Sequence, residues 1–250
     1  MTDPSTGPRT ELSGLTHPPS TPYIIAIDGP AGSGKSSVSK AVARRLGLGF
    51  LDTGAAYRAL AWHVLAHGAD TSDSSAVVDA AGDFDVQLSL DPDDFWVRVG
   101  RTDVTAAIRE PRVTEAVSGV ARVPAIRRSI NTFFRALVAA ADARGVVVEG
   151  RDITTVVAPD APVRVLLTAA PEVRAARRAR ELTTQDASAV ADALHRRDAS
   201  DSTVVDFLTA APGVQVVDST ELDFDQTVSA VIDVVDRTLG VHEAGGPHGR

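Results

Sequence analysis

Tyr23-Ile-Ile-Ala-Ile-Asp28-Gly29-Pro30-Ala31-Gly32-Ser33-Gly34-Lys35-Ser36-Ser37 decides the architecture of this chain. An apolar run ends on Asp28, and Gly29 to Ser36 then fits the pattern G-x-x-x-x-G-K-[ST]. Beyond it, Val38, Val42 and Leu46 recur at helical spacing up to a stop at Gly47. Strand, glycine-rich turn and helix are the context the pattern requires. The glycines let backbone N–H groups turn inward around a phosphate, and the helix N-terminus adds partial positive charge. Lys35 would reach the β- and γ-phosphates, and the Ser36 hydroxyl would ligate Mg²⁺. The bland alternative is a turn that merely starts a helix; a full match in this context argues against it.

Outward from this motif, short apolar runs alternate with helical patterns. Tyr23–Asp28, Phe50–Asp52, Val146–Glu149, Val163–Thr168 and Val214–Asp218 read as strands. Most are nearly continuous in hydrophobicity, as parallel strands buried on both faces are. Ser36–Leu46, Gly54–His67, Pro124–Arg144, Pro171–Leu182, Asp186–Arg197 and Asp225–Leu239 read as helices. The alternation predicts an α/β fold with a doubly wound, five-stranded parallel sheet. One region departs from it. Phe84–Leu90 and Phe95–Val99 alternate apolar and polar residues between turn signals, which predicts an antiparallel hairpin with one wet face. Residues 70–108 are therefore expected to form a small β insert. Residues 1–22 and 241–250 are rich in Pro, Gly, Ser and Thr or lack apolar periodicity, and are expected to be disordered tails.

Composition narrows the class. The chain has 250 residues, enough for one large α/β domain, and its 44% hydrophobic and 23% charged content is that of a globular protein. A net charge of −8 makes it a poor general binder of nucleic acid. It contains no cysteine, which excludes disulfides, thiolate zinc sites and cysteine nucleophiles. The six histidines read as scattered, without metal-ligand spacing. No apolar run approaches the roughly 18 residues of a membrane span, and the N-terminus lacks the apolar core of a signal peptide. A cytoplasmic monomer without membrane or nucleic-acid partners is expected. The sole asparagine, Asn131, lies inside a helix, so the base-reading loop of a GTPase is absent and a small kinase remains.

Three further clusters bear on the acceptor. Asp52-Thr53-Gly54-Ala55-Ala56-Tyr57-Arg58 follows the second strand, at the sheet edge where acceptors sit. Arg58 could hold a second phosphate and Tyr57 could pack on a sugar; alone, a solvated Arg on an amphipathic helix is the simpler reading. Glu149-Gly150-Arg151-Asp152-Ile153-Thr154-Thr155 follows the third strand, where a functional pair and a structural Arg–Asp cap are equal readings. Arg174, Arg177, Arg178 and Arg180 share one helix, and Arg196, Arg197, Asp198 and Asp201 follow. Such a basic hairpin could close over ATP as a lid, against the usual reading of a solvated face.

Taken in order, IAIDGPAGSGKSS, LDTGAAYR, VSGVA…IR, GRDITTVV and RDASDS resemble the bacterial cytidylate kinases, from about Tyr23 to Gly240. The resemblance implies a kinase domain over 23–240, with a core of 23–69, 109–182 and 210–240 and a helical lid at about 183–209. It implies transfer of the ATP γ-phosphate to CMP or dCMP with Mg²⁺. By motif, Gly29 to Ser37 would bind ATP, with Arg174 and Arg178 bordering it. Thr53, Tyr57 and Arg58 would hold the acceptor's sugar and phosphate. Ser118, Arg127 and Asp152 would face the cytosine, Arg151 would grip the acceptor phosphate, and Arg197 and Asp201 would sit in the lid. Lys35, Arg151, Asp152 and Arg197 would be the catalytic set. Base chemistry agrees: a carboxylate accepts from the cytosine amine and Arg donates to N3 and O2, whereas uracil leaves both mismatched.

The chain departs from the family pattern in three places. Thr154 stands where the family has Gly, Phe133 and Phe134 replace a Gln-Arg pair, and Val204 replaces the last lid arginine. Arg196 is expected to supply the missing cation. The alternatives are a kinase for another small acceptor, such as UMP or shikimate, or a nucleotide-binding protein of low turnover.

Overall fold

In a computed structural model, the strand–helix alternation folds into a five-stranded sheet, all parallel, in the order β2-β6-β1-β7-β8. The structure describes residues 21–181 and 206–240, with 192, 196, 198, 199 and 202 besides. The strands are β1 (Tyr23–Asp28), β2 (Gly49–Asp52), β6 (Gly145–Gly150), β7 (Val163–Thr168) and β8 (Gln215–Asp218). The helices are α1 (Lys35–Leu46), α2 (Thr53–Ala66), α3 (Ser74–Ala80), α4 (Pro111–Ala121), α5 (Pro124–Ala139), α6 (Pro171–Glu181) and α7 (Phe224–Leu239). A second sheet, antiparallel, joins β3 (Val86–Leu88), β4 (Val97–Val99) and β5 (Thr102–Asp103).

Side-chain alternation along each strand explains the two layers. Ile25 and Ile27 face α1 and α7, packing with Val38, Val42, Val228 and Val231. Ala26, Val146 and Val148 face the other way, against Leu51, Leu60, Val120 and Ile130. Parallel strands covered on both faces must be apolar on both, which is why their sequences are continuous runs. Local chemistry terminates the helices. Gly34 (φ 84°) precedes α1 and Gly47 (φ 63°) ends it. Asp223 and Gln226 form a reciprocal capping box at the start of α7.

The insert is richer than alternation alone predicts. It contains α3 as well as a third strand, and its hairpin strands are shorter than expected. Val77, Leu88, Val97, Val104 and Ile108 pack into the same core as α2. Helix α4 is not among the helices expected from the sequence; Val113, Ala116, Val117 and Val120 are its buried stripe. Helix α5 stops at Ala139 although helix formers continue to Ala143. There Arg144 is already committed to β6: its carbonyl accepts from Tyr23 N (3.2 Å) and its guanidinium donates to Leu46 O (3.0 Å).

Gly119 is where α4 meets the entry to the insert. A Cβ there would lie 2.3 Å from Thr71 O, a backbone atom that cannot move aside cheaply. Gly119→Ala is expected to lose about 1–3 kcal/mol by overpacking, more than the helix propensity it gains. Urea unfolding at equilibrium measures this, and an unchanged or higher midpoint would refute the tight contact.

Arg197, Asp201, Val204, most of helix Asp186–Arg197 and of the expected lid, and the expected tails save residues 21 and 22 lie outside the described residues. Arg196 is described and is exposed. Among the described residues, no helix is long and apolar enough to cross a membrane.

Candidate active site

Strand register brings the site together. Asp28 is level with Gly150 and Leu166, and Asp52 with Glu149, so several carboxylates end the strands at one sheet edge. The glycine-rich loop lies on that edge. It comes so close to β7 that a Cβ on Gly29 would sit 2.1 Å from Leu167 O. Gly32 has φ 75°, a conformation that L side chains rarely adopt. The Ser33 hydroxyl is buried and has no partner among the described residues.

The sequence reading passed over Glu149 as a site residue. Its carboxylate accepts from Ser36 Oγ (2.6 Å) and faces Lys35 Nζ (3.8 Å). Burial pushes this carboxyl above its ordinary value, against the pull of Lys35. The available signal was its position, the last side chain of a buried strand next to the phosphate loop. Asp28, also buried, accepts from Ile153 N (2.9 Å), Thr154 N (2.8 Å) and Thr154 Oγ1 (2.7 Å). Thr154 therefore adds a side-chain donor that Gly at this position could not. These bonds hold a wide π-helical turn, Ile153–Val157, which presents Arg151 and Asp152 to the crevice.

The acceptor side is built from α2 and α5. Asp52 caps α2 by accepting from Ala55 N (2.9 Å). Arg58 and Arg109 both bind its Oδ2, at 3.1 and 3.3 Å. Burial favours the neutral form of Asp52, but Arg58 and Arg109, with the Ala55 N–H and Lys35, together outweigh it and hold the carboxyl below its usual range. Two cations on one carboxylate leave a net positive charge; Arg109, which the sequence reading missed, reaches this place from a 3₁₀ turn after the insert. Thr53 is buried and spends its hydroxyl proton on Glu149 O (2.7 Å).

Tyr57, Arg127 and Asp152 meet. An Arg127 Nη2 donates to Asp152 Oδ2, and its Nη1 to Ala121 O (3.3 Å). Burial raises the Asp152 carboxyl above its ordinary value, with Arg127 opposing. The Tyr57 ring packs edge-on against buried Phe134, centroids 6.3 Å apart. Its hydroxyl is buried and has no partner among the described residues. Burial raises its pKa, and Arg127 and Asp152 lie close enough to act on it. Ser118, on α4, is half-buried.

Two arginines brace the phosphate loop. Arg151 donates to Gly29 O (2.9 Å), lies over the Phe207 ring (4.3 Å) and faces Asp198 (3.4 Å). Arg174 is buried and donates to Ala31 O (2.9 Å), Ala169 O (3.2 Å) and Asp198 Oδ2 (2.5 Å). Asp198 in turn accepts from Ala31 N (3.1 Å). Arg178 is half-buried on the same helix. On the far side of the loop lies a cleft of about 590 Å³, lined by Gly34, Ser37, Arg177, Arg180, Leu222 and Phe224. Arg177 is fastened to Ser33 O, Ser219 and Leu222 O and forms a fixed wall there. The crevice thus has a cationic phosphate cradle at its centre, a cleft on one side and a buried polar trio on the other.

Residues 25–237 match the family model described as cytidylate kinase. A cytidylate kinase of Cutibacterium acnes is 48% identical over 88% of this chain and 98% of its own. One of Streptomyces avermitilis is 45% identical over 85% of this chain and 92% of its own. One of Streptomyces coelicolor is 46% identical over 88% and 95%. With the match spanning the phosphate loop, the Asp52–Arg58 turn and the Glu149–Asp152 turn alike, this chain belongs to the cytidylate kinase family.

Proposed function

We propose that this protein transfers the γ-phosphate of ATP to CMP or dCMP, releasing ADP and the nucleoside diphosphate. The observation that carries the acceptor assignment is the Tyr57 hydroxyl, buried and without a partner among the described residues, beside the Arg127–Asp152 pair. Buried hydroxyls are nearly always bonded, so a ligand is the natural partner. Asp152 has lone pairs left for the cytosine amine, and Arg127 has N–H groups left for N3 and O2. Arg58, Arg109 and Arg151 supply the positive charge that an acceptor phosphate needs. The adenine end of ATP occupies the cleft beside Gly34 and Phe224, whose size is that of an ordinary ligand pocket.

Phosphoryl transfer leaves little covalent work for the protein; positioning and charge neutralisation do the rest. The loop N–H groups and Lys35 hold the β- and γ-phosphates in line with the acceptor oxygen. Ser36 Oγ and the Glu149 carboxylate, 2.6 Å apart, are hard oxygen donors suited to Mg²⁺. Ser36 Oγ and the Glu149 carboxylate would hold Mg²⁺, which when bound would supply positive charge against the phosphates. Glu149→Gln is therefore expected to raise the Mg²⁺ concentration for half-maximal rate by about 10–100-fold, with a small effect on the KM for CMP. A Mg²⁺ titration at fixed ATP measures this, and an unchanged midpoint would remove Glu149 from metal binding.

An ADP-release assay with CMP, dCMP, UMP, AMP and shikimate tests the whole reading. Turnover should be fastest with the cytosine nucleotides. Equal or faster turnover of UMP or shikimate would overturn the base-reading assignment. ATP binding without turnover of any acceptor would overturn the kinase assignment itself.

A further inference from the structure

Away from the nucleotide crevice, the last turn of α2 carries a second chemically distinct cluster. His63 and His67 are one turn apart, so helical periodicity puts both on one face. Asp83, on a 3₁₀ turn after α3, reaches the same point. One ligand atom from each of the three lies within 4.8 Å of the others. The sequence reading of scattered histidines is corrected here, because the third member comes from another element and only folding brings it in.

The hydrogen bonds orient these groups. His67 Nδ1 lies 2.9 Å from His63 O, a group that can only accept, so Nδ1 carries the proton. With the proton on Nδ1, His67 has its Nε2 on the side facing Asp83 Oδ2, 3.7 Å away, where it is placed to act as a metal ligand. A divalent cation between these two atoms would be held by both. His63 Nε2 lies 3.0 Å from Asp83 Oδ1 and 2.9 Å from Ala80 O. Coordination at that nitrogen moves its proton to Nδ1. Tetrahedral zinc at about 2.0–2.1 Å from each ligand needs ligand atoms about 3.3 Å apart. His63 Nε2 lies 3.0 Å from Asp83 Oδ1 and His67 Nε2 3.7 Å from Oδ2, so each imidazole is near that separation from its own oxygen of the one carboxylate. A ring-N–H to backbone-carbonyl bond of the kind His67 makes is the usual device for aiming a metal-bound imidazole.

We propose that His63, His67 and Asp83 form a structural site for a borderline divalent metal of the Zn²⁺ class. Two imidazoles and one carboxylate suit such ions better than Mg²⁺. The exposure of His67 and Asp83 leaves an entry path and an open fourth position for water. Roughly 15 Å of α2 separates His63 from Thr53, so the metal takes no part in phosphoryl transfer. Its effect is to tie the end of α2 to the turn that leads into β3, fastening the insert to the helix that carries Tyr57 and Arg58.

The test uses the full chain, stripped with EDTA and free of nucleotide, with ZnCl₂ alone as the probe. Calorimetric titration gives the affinity and a thermal melt gives the stabilisation. At a free Zn²⁺ about a hundred times Kd, the melting temperature should rise by roughly 5–10 °C. His67→Gln and Asp83→Asn change exposed side chains and leave the fold intact. Each should weaken binding by about tenfold or more and remove most of the rise. His63→Ala is left aside because that ring is buried against Phe84. The proposal is overturned if Zn²⁺ gives the parent protein no rise. It is equally overturned if the rise persists in both variants, since Zn²⁺ would then be held by another group, such as the histidines at His17, His242 or His248.

Discussion

Lys35→Ala should lower kcat by about 10²–10³ while the protein remains folded. The ammonium is mostly enclosed, 3.8 Å from the Glu149 carboxylate, at the N-terminus of α1. Its charge counts most when the γ-phosphoryl group carries its transition-state charge away from water. Removing it should therefore depress kcat more than ATP affinity, and the ratio of kcat to KM reads that loss directly. The fold survives because Glu149 keeps its bond from Ser36, and burial already favours its neutral form. A near-normal kcat in a correctly folded Lys35→Ala protein would refute the assignment of this loop.

The second large effect is on choice of base. Asp152→Asn keeps the volume of the side chain but replaces a pure acceptor with a group that can also donate. In the parent, uracil O4 would face the carboxylate and find no hydrogen to accept. In the variant, the amide can turn and donate to O4. The ratio of kcat/KM for CMP over UMP should fall by about 10–100-fold, the discrimination expected of one good bidentate contact. Thermal stability should fall less than the discrimination does, since an amide carbonyl at 152 can still accept from Arg127, which also keeps its bond to Ala121 O. An unchanged CMP/UMP ratio would take Asp152 out of base reading and leave the Arg127–Asp152 pair a structural one.

Both predictions rest on residues that the sequence singles out, but for different reasons. Lys35 sits in a motif whose strand, turn and helix are contiguous, so local physics assigns its place. Asp152 also follows a recognisable strand, yet its partner Arg127 comes from the start of α5 and its neighbour Tyr57 from α2. The wide turn that presents Asp152 is held by Asp28, over a hundred residues earlier, and nothing in the local pattern of ITTVV announces a π-helical turn.

The sequence by itself determined the parallel sheet and the phosphate loop. Continuous apolar runs ending on polar residues, with Gly before and after the first helix, are signals carried within a dozen residues. They survive because every neighbour reinforces them. Tertiary structure alone decided the rest. Helix α5 ends at Ala139 because Arg144 is held by β1 and α1, and helix α4 forms across Gly119 because its valines find the core. Glu149 reaches Ser36 because parallel pairing sets β6 beside β1. Arg109 reaches Asp52, and Asp83 reaches two histidines, from turns remote in sequence. Periodicity reports which face a residue occupies; which other element meets that face is set by long-range packing that no local window contains.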